Sequence, residues 1–156
     1  MTIKWPKGKD TAKLRKACAE IDPNCNIVVI DPSSGGTSLP GYCYSRDAKM
    51  LDSGTIPLPK RTSIEVRLRA LYDYLDLNFK DADVLVIELV RGNMAHEYLR
   101  WAIGVTMTGC RAPRVIMMPI PAWKAYAKTV DTYAKGDEAD AIIMWETLMT
   151  LIEEEQ

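Results

Sequence analysis

The sequence predicts an α/β fold in which a mixed five-stranded sheet is covered by helices on both faces. Three observations carry this. Ile27-Val28-Val29-Ile30, Val84-Leu85-Val86-Ile87 and Val115-Ile116-Met117-Met118 are short, continuous apolar runs, as expected of strands buried on both faces. Between and after them lie stretches with apolar residues three and four apart, the spacing of amphipathic helices. Two further strand-like segments follow the first run and precede the first of these helices, so an antiparallel pair is joined to a set of parallel strands. A length of 156 residues suits one such domain.

Taken in order, residues 11–20 form an amphipathic helix that stops near Asp22-Pro23-Asn24. The first strand ends at Asp31, and Pro32-Ser33-Ser34-Gly35-Gly36-Thr37 is a turn-rich loop. That loop lacks a Walker lysine and does not open directly into a helix, which argues against nucleotide binding there. Gly41 to Ser45 and Leu51 to Ile56 are strands joined by a turn around Asp47, and Pro57-Leu58-Pro59 is a stiff connector. Thr62-x-x-Glu65 is a capping box, followed by Ile64, Leu68, Leu71, Leu75 and Phe79 along one helical stripe. The second buried strand ends at Glu88. A helix from about Asn93 presents Tyr98, Trp101, Ala102 and Val105 on one face. After the third buried strand, Pro121 suits the first turn of a short helix through Lys128. The last helix starts near Asp137 and buries Trp145, Leu148, Met149 and Ile152.

With 47% hydrophobic and 26% charged residues, the composition excludes collagen and low-complexity disorder. No apolar run approaches the roughly 20 residues a membrane helix needs, and no secretory signal is expected. Cys18, Cys25, Cys43 and Cys110 have no C-x-x-C spacing, so neither a zinc site nor a disulfide framework is implied, and a reducing, cytoplasmic location is expected. His96 is the single histidine, which excludes a His-rich metal site and points any catalysis toward carboxylates. His96 itself suits a helix surface, and Trp101 and Trp145 suit the core.

The net charge of −1 hides an asymmetry. Residues 1–16 carry Lys4, Lys7, Lys9, Lys13, Arg15 and Lys16 against Asp10, a local +5, which leaves −6 for the remaining 140 residues. A basic segment on an acidic body fits an anionic partner held by the segment and cations held by the body. A solvated basic helix explains the segment equally well.

The carboxylates form the most informative pattern. Two buried strands end in an acidic residue, Asp31 and Glu88, and ligands of parallel α/β sheets sit at the carboxyl ends of strands. The last helix opens with Asp137-Glu138-Ala139-Asp140, which puts Asp137 and Asp140 on one helical face. Should all four converge, their mutual repulsion calls for a divalent ion, and oxygen-only ligands favour Mg2+ or Mn2+. Two ions roughly 3.5–4 Å apart would suit phosphodiester hydrolysis. Each acid also has a plainer explanation: Asp137 as a helix N-cap with Glu138 and Asp140 complementing the dipole, Asp31 as a turn initiator before Pro32. Glu88 resists such an explanation, because an acid ending a V-L-V-I run needs a partner.

In order and spacing this pattern resembles the RuvC family of Holliday-junction resolvases, within the ribonuclease H-like fold. The motifs are Ile30-Asp31-Pro32-Ser33-Ser34 before Gly41-Tyr42-Cys43-Tyr44, then Ile87-Glu88 with Asn93 and a helix containing Ala102-Ile103-Gly104-Val105, then Asp137-Glu138-Ala139-Asp140-Ala141. The resemblance covers residues 26–150; residues 1–25 stand outside it as a basic N-terminal extension, with the nuclease-type domain over 26–156. It implies a metal-dependent endonuclease, acting as a homodimer on four-way DNA junctions with paired incisions. By the same resemblance Asp31, Glu88, Asp137 and Asp140 are the ligands of Mg2+ or Mn2+, with two ions per site. Lys124 joins them in the catalytic set, and Arg91, Asn93, Lys128 and Lys135 are placed to contact DNA. The lysines also suit the exposed face of a short helix. Departures from the family pattern are Ser33 after the proline, a shortened stretch from Lys124 to Asp137, and the basic extension, whose cations would neutralise phosphates. The shortening suggests a compact, phage-type form acting in a bacterial or infected host cell. The same carboxylates also fit a ribonuclease H-fold nuclease acting on other branched DNA or RNA–DNA hybrid, and the fold alone fits a non-catalytic junction-binding protein.

Overall fold

The computed structural model describes residues 2–32, 38–90, 96–130 and 136–156. Five strands form one sheet: β1 (Ile27–Asp31), β2 (Gly41–Arg46), β3 (Lys49–Thr55), β4 (Val84–Leu89) and β5 (Arg114–Pro119), in the spatial order β3-β2-β1-β4-β5. β1, β4 and β5 run parallel, with Ile27 opposite Val84 and Ile30 opposite Ile87. β2 and β3 are antiparallel to their neighbours, as the turn at Asp47 requires. Asp47 and Ala48 both have positive φ, 54° and 60°, which matches the twist of a two-residue hairpin turn.

Alternation along the central strands divides the core in two. Ile27 and Val29 of β1, with Cys43, Val84, Val86, Ile116 and Met118, face α1 (Lys9–Ala19), α4 (Ile120–Ala127) and α5 (Asp137–Glu155). Val28 and Ile30, with Tyr42 and Leu85, face α2 (Ile64–Phe79) and α3 (Glu97–Cys110). The helices therefore cover both faces, as the apolar runs predict.

The ends of several elements differ from expectation. α2 is capped by Ser63, whose Oγ accepts from the Val66 N–H at 3.3 Å; Thr62 instead donates to the Pro59 carbonyl at 3.4 Å. Ile64, expected on the buried stripe, is exposed in the first turn, and Arg67 is buried in the interior. Its guanidinium donates to the carbonyls of Pro59 and Ser38, each at 2.7 Å, so it ties the proline connector to the segment entering β2. In α3, His96 is the N-cap, its Nδ1 accepting from the Leu99 N–H at 3.3 Å. The buried face of α3 is Tyr98, Leu99, Ala102 and Thr106, and Trp101, expected in the core, is 45% exposed on the opposite side. Trp145, expected in the core, is half-buried, and its indole N–H donates to the buried Ser45 Oγ at 2.8 Å. Pro121 lies in the first turn of α4, as expected.

The basic N-terminal segment is built into this body. Leu14, Cys18 and Ile21 are buried in the same cluster as α5. Arg15 pairs with Glu155 at 2.6 Å and Glu154 at 3.8 Å, and the Trp5 indole N–H donates to Glu154 at 3.0 Å. Among the described residues no helix is long and apolar enough to cross a membrane.

Candidate metal centre

Parallel pairing of β1 and β4 sets the first two acids side by side. Ile30 lies opposite Ile87, so Asp31 and Glu88 leave the same end of neighbouring strands. Burial raises the pKa of Asp31, and the charges of Glu88, Asp137 and Asp140 raise it further. Glu88 is also raised, chiefly by burial, while its hydrogen bond with Asp31 and the charge of Lys124 pull the other way. The crowding of buried acids thus raises the pKa of both residues.

α5 brings the other two acids, and β2 dictates where it starts. Gly41, paired with Asp31, has no side chain, and the backbone of Asp137 occupies the space where one would be: a Cβ there would lie 1.9 Å from the Asp137 carbonyl oxygen. Further along the same face of β2, Cys43 Sγ lies 3.5 Å from the Ala141 carbonyl, and Ser45 accepts from Trp145. On β3, Ser53 donates to Glu138 at 3.1 Å. This row fixes the N-terminus of α5 against the end of the sheet that carries Asp31. Gly136, not Asp137, holds the N-cap position, and no side chain caps the helix. Asp137 is therefore free of the capping role that would otherwise explain it. Burial and the charge of Asp140 raise its pKa.

Asp31, Asp137 and Asp140 each bring one carboxylate oxygen to within 4.8 Å of the others, with Asp31 buried and the two helical acids half-buried. Glu88, at the end of the neighbouring strand, interacts with Asp31 and lies outside this set of three. Such a group is electrostatically incomplete. Carboxylates this close hold protons at neutral pH unless a cation takes the protons' place. The donors are all oxygen, which suits Mg2+ or Mn2+. The residues present thus fit a divalent ion.

The remaining sequence candidates divide by position. Lys124 lies on the exposed side of α4, close enough for its charge to act on Glu88. Lys128 and Lys4 are exposed and line one groove with Lys124. Lys13 borders a separate groove between α1 and β5, and Lys7, Lys9 and Lys16 are exposed. Arg15 is engaged by the C-terminal glutamates. Arg91, Asn93 and Lys135 lie outside the described residues, as does the loop of Ser33 and Ser34. Sequence reasoning gave Gly41, Ser45 and Ser53 no part in the site. A glycine inside a strand is a signal of close backbone approach, and Gly41 carries it.

Five strands in this order, flanked by helices on both faces, form a RuvC-like fold. Two solved structures share it. The chain matches Thermus thermophilus RuvC in complex with a Holliday junction substrate at 10% identity and a TM-score of 0.61, covering 83% of this chain and 95% of that one. It matches a second Thermus thermophilus RuvC structure at 10% identity and a TM-score of 0.58, with the same coverage. No family model and no curated protein matches the chain.

Proposed function

We propose that this chain is a metal-dependent endonuclease that resolves four-way DNA junctions by paired incisions as a homodimer. The convergence of Asp31, Asp137 and Asp140 from distant parts of the sequence carries the reading, with Glu88 beside them. Likeness to a fold that is known bound to a Holliday junction supports the substrate class.

Asp31, Glu88, Asp137 and Asp140 hold Mg2+ or Mn2+. When bound, the metal supplies a Lewis acid that lowers the pKa of water and stabilises charge at a phosphate. The protein's part is to gather and orient the oxygens. Two strand ends fix Asp31 and Glu88, and the Gly41 contact fixes Asp137 and Asp140. Lys124, whose charge reaches Glu88, is the cation that balances a bound phosphate in this reading. A two-fold dimer presents two such centres to a junction of the same symmetry. Exposed Val66 and Leu77 on α2 and Trp101 and Met107 on α3 offer apolar surface for that contact.

The test is incubation with an end-labelled four-way junction and Mg2+ or Mn2+. Paired nicks are expected from the wild type. Asp31→Asn and Glu88→Gln should bind the junction and leave it intact. Wild-type cutting by either variant would overturn the site, and faster cutting of RNA–DNA hybrid than of the junction would overturn the substrate.

A further inference from the structure

The groove beside α4 joins two parts of the chain that the sequence keeps 114 residues or more apart. Lys4 and Pro6 of the N-terminal segment line it together with Ile120, Pro121, Lys124, Ala125 and Lys128, around an open volume of about 440 Å3. All three lysines are exposed, and among the described residues none has an ion pair. Arg15, by contrast, is engaged by Glu154 and Glu155. Lys4 is not on a loose tail. The next residue, Trp5, is tied by its indole N–H to Glu154 on α5, and α1 is buried in the core from Leu14 onward. Holding the cations in place before binding lowers the ordering cost of engaging a polyanion.

The groove also has a defined position. β5 runs parallel to β4 with Met118 opposite Glu88, and α4 begins two residues later at Ile120, so the Ile120 and Pro121 wall of the groove lies at the end of the sheet that carries the carboxylates. Carboxylates alone repel a nucleic-acid backbone. Cations lining a groove at the same end of the sheet offset that repulsion.

We propose that Lys4, Lys124 and Lys128 form a composite track for the phosphate backbone of the DNA strand that flanks the scissile position, with the N-terminal segment supplying one wall. The proposal rests on the nuclease reading above and adds to it a place for the flanking strand and a role for the segment. Contact is with phosphates and not with bases, so the track is indifferent to sequence and sensitive to salt.

The experiment is fluorescence anisotropy of a labelled four-way junction between 50 and 400 mM NaCl, with Ca2+ replacing Mg2+, for wild type, Lys4→Ala/Lys128→Ala and Lys49→Ala. Lys49 is an exposed lysine beside the hairpin turn, at the opposite end of the sheet from Asp31, and controls for loss of charge alone. The double variant should lose about 1.8 units of log–log salt slope, at roughly 0.9 per phosphate contact. If the curves meet at 1 M salt, that makes it about 60-fold weaker at 0.1 M. Lys49→Ala should match the wild type. A double variant with unchanged slope, alongside a wild type that binds and cuts junctions, overturns the track and leaves the nuclease reading standing. A wild type that binds no nucleic acid overturns both.

Discussion

Gly41→Ala isolates the contact that delivers half of the candidate centre. An alanine Cβ would stand 1.9 Å from the Asp137 carbonyl oxygen, 2.1 Å from its carbon and 2.5 Å from the Glu138 nitrogen, where ordinary contact begins at 3.4 Å. All three are backbone atoms, so no rotamer relieves the clash. The start of α5 must retreat by about 1.5 Å, the difference between 1.9 and 3.4 Å. It cannot do so as a rigid rod, because Trp145 is bonded to Ser45 and Met144 and Leu148 are fully buried farther along. The first turn, carrying Asp137 and Asp140, takes the displacement. Overpacking of this kind costs about 1–3 kcal/mol of stability, and misplacing a catalytic group by about 1 Å costs roughly 100-fold in rate. Gly54→Ala is the matched control, since its Cβ would meet only the Tyr42 ring, at 3.3 Å. The assays are junction cleavage under single turnover and Mn2+ affinity from the thermal shift at graded Mn2+. Gly41→Ala should retain its far-UV circular dichroism, cut at least 100-fold more slowly and bind Mn2+ at least tenfold more weakly. Gly54→Ala should stay near the wild type in both assays. Cleavage and Mn2+ affinity within twofold of wild type in Gly41→Ala would refute the reasoning.

Three further outcomes follow from the same contacts. Asp31 has a folded pKa raised by burial and by its acidic neighbours, so its contribution to stability is complete below about pH 4 and is lost as pH rises, at about 1.36 kcal/mol per unit. Metal-free Asp31→Asn should therefore melt higher than wild type at pH 8 and closer to it at pH 5, while Mg2+ stabilises only the wild type; a variant that melts lower at pH 8 would contradict this. Arg67→Leu removes two charge-assisted hydrogen bonds, to the Ser38 and Pro59 carbonyls, and urea unfolding should show a loss of about 2–5 kcal/mol, a loss below about 1 kcal/mol being the contrary result. Leu77 is 79% exposed on α2, and Leu77→Glu should shift sedimentation from dimer toward monomer; an unchanged dimer would place the interface elsewhere.

Much of the fold was legible in the sequence because β1 and β4 are buried on both faces, which leaves no polar residue to interrupt the runs around Val28 and Val86, while β5, at the edge of the sheet, keeps its apolar run with Val115 and Met117 only half-buried. The opening of α5 was legible for a different reason: three acids in one turn before an apolar stripe mark a helix start, whatever their function. Other features depend on neighbours distant in the chain. Arg67 occupies a position that periodicity assigns to an apolar residue, and only the carbonyls of Ser38 and Pro59 account for it. Trp101 is large and apolar, yet its position on α3 turns it away from the sheet. The capping box at Thr62 was a sound local pattern, displaced by one residue because Ser63 offers an equivalent hydroxyl.

The candidate site was legible at its acids and not at its supports. Asp31 and Glu88 announce themselves as charges at the ends of apolar runs. Gly41 has no chemistry to announce, and its importance exists only once Asp137 lies against it. Lys4 and Lys128 likewise became one feature through Trp5, whose tether to Glu154 holds the N-terminal segment close to α4.

The central claim is that four acids form one divalent-ion centre, and a crystal soaked in Mn2+ tests it without any assumption about substrate. Anomalous difference density should appear among the carboxylates of Asp31, Glu88, Asp137 and Asp140, and should vanish in Asp31→Asn crystals. Manganese bound elsewhere on the protein, with none between β1 and the start of α5, would contradict the account.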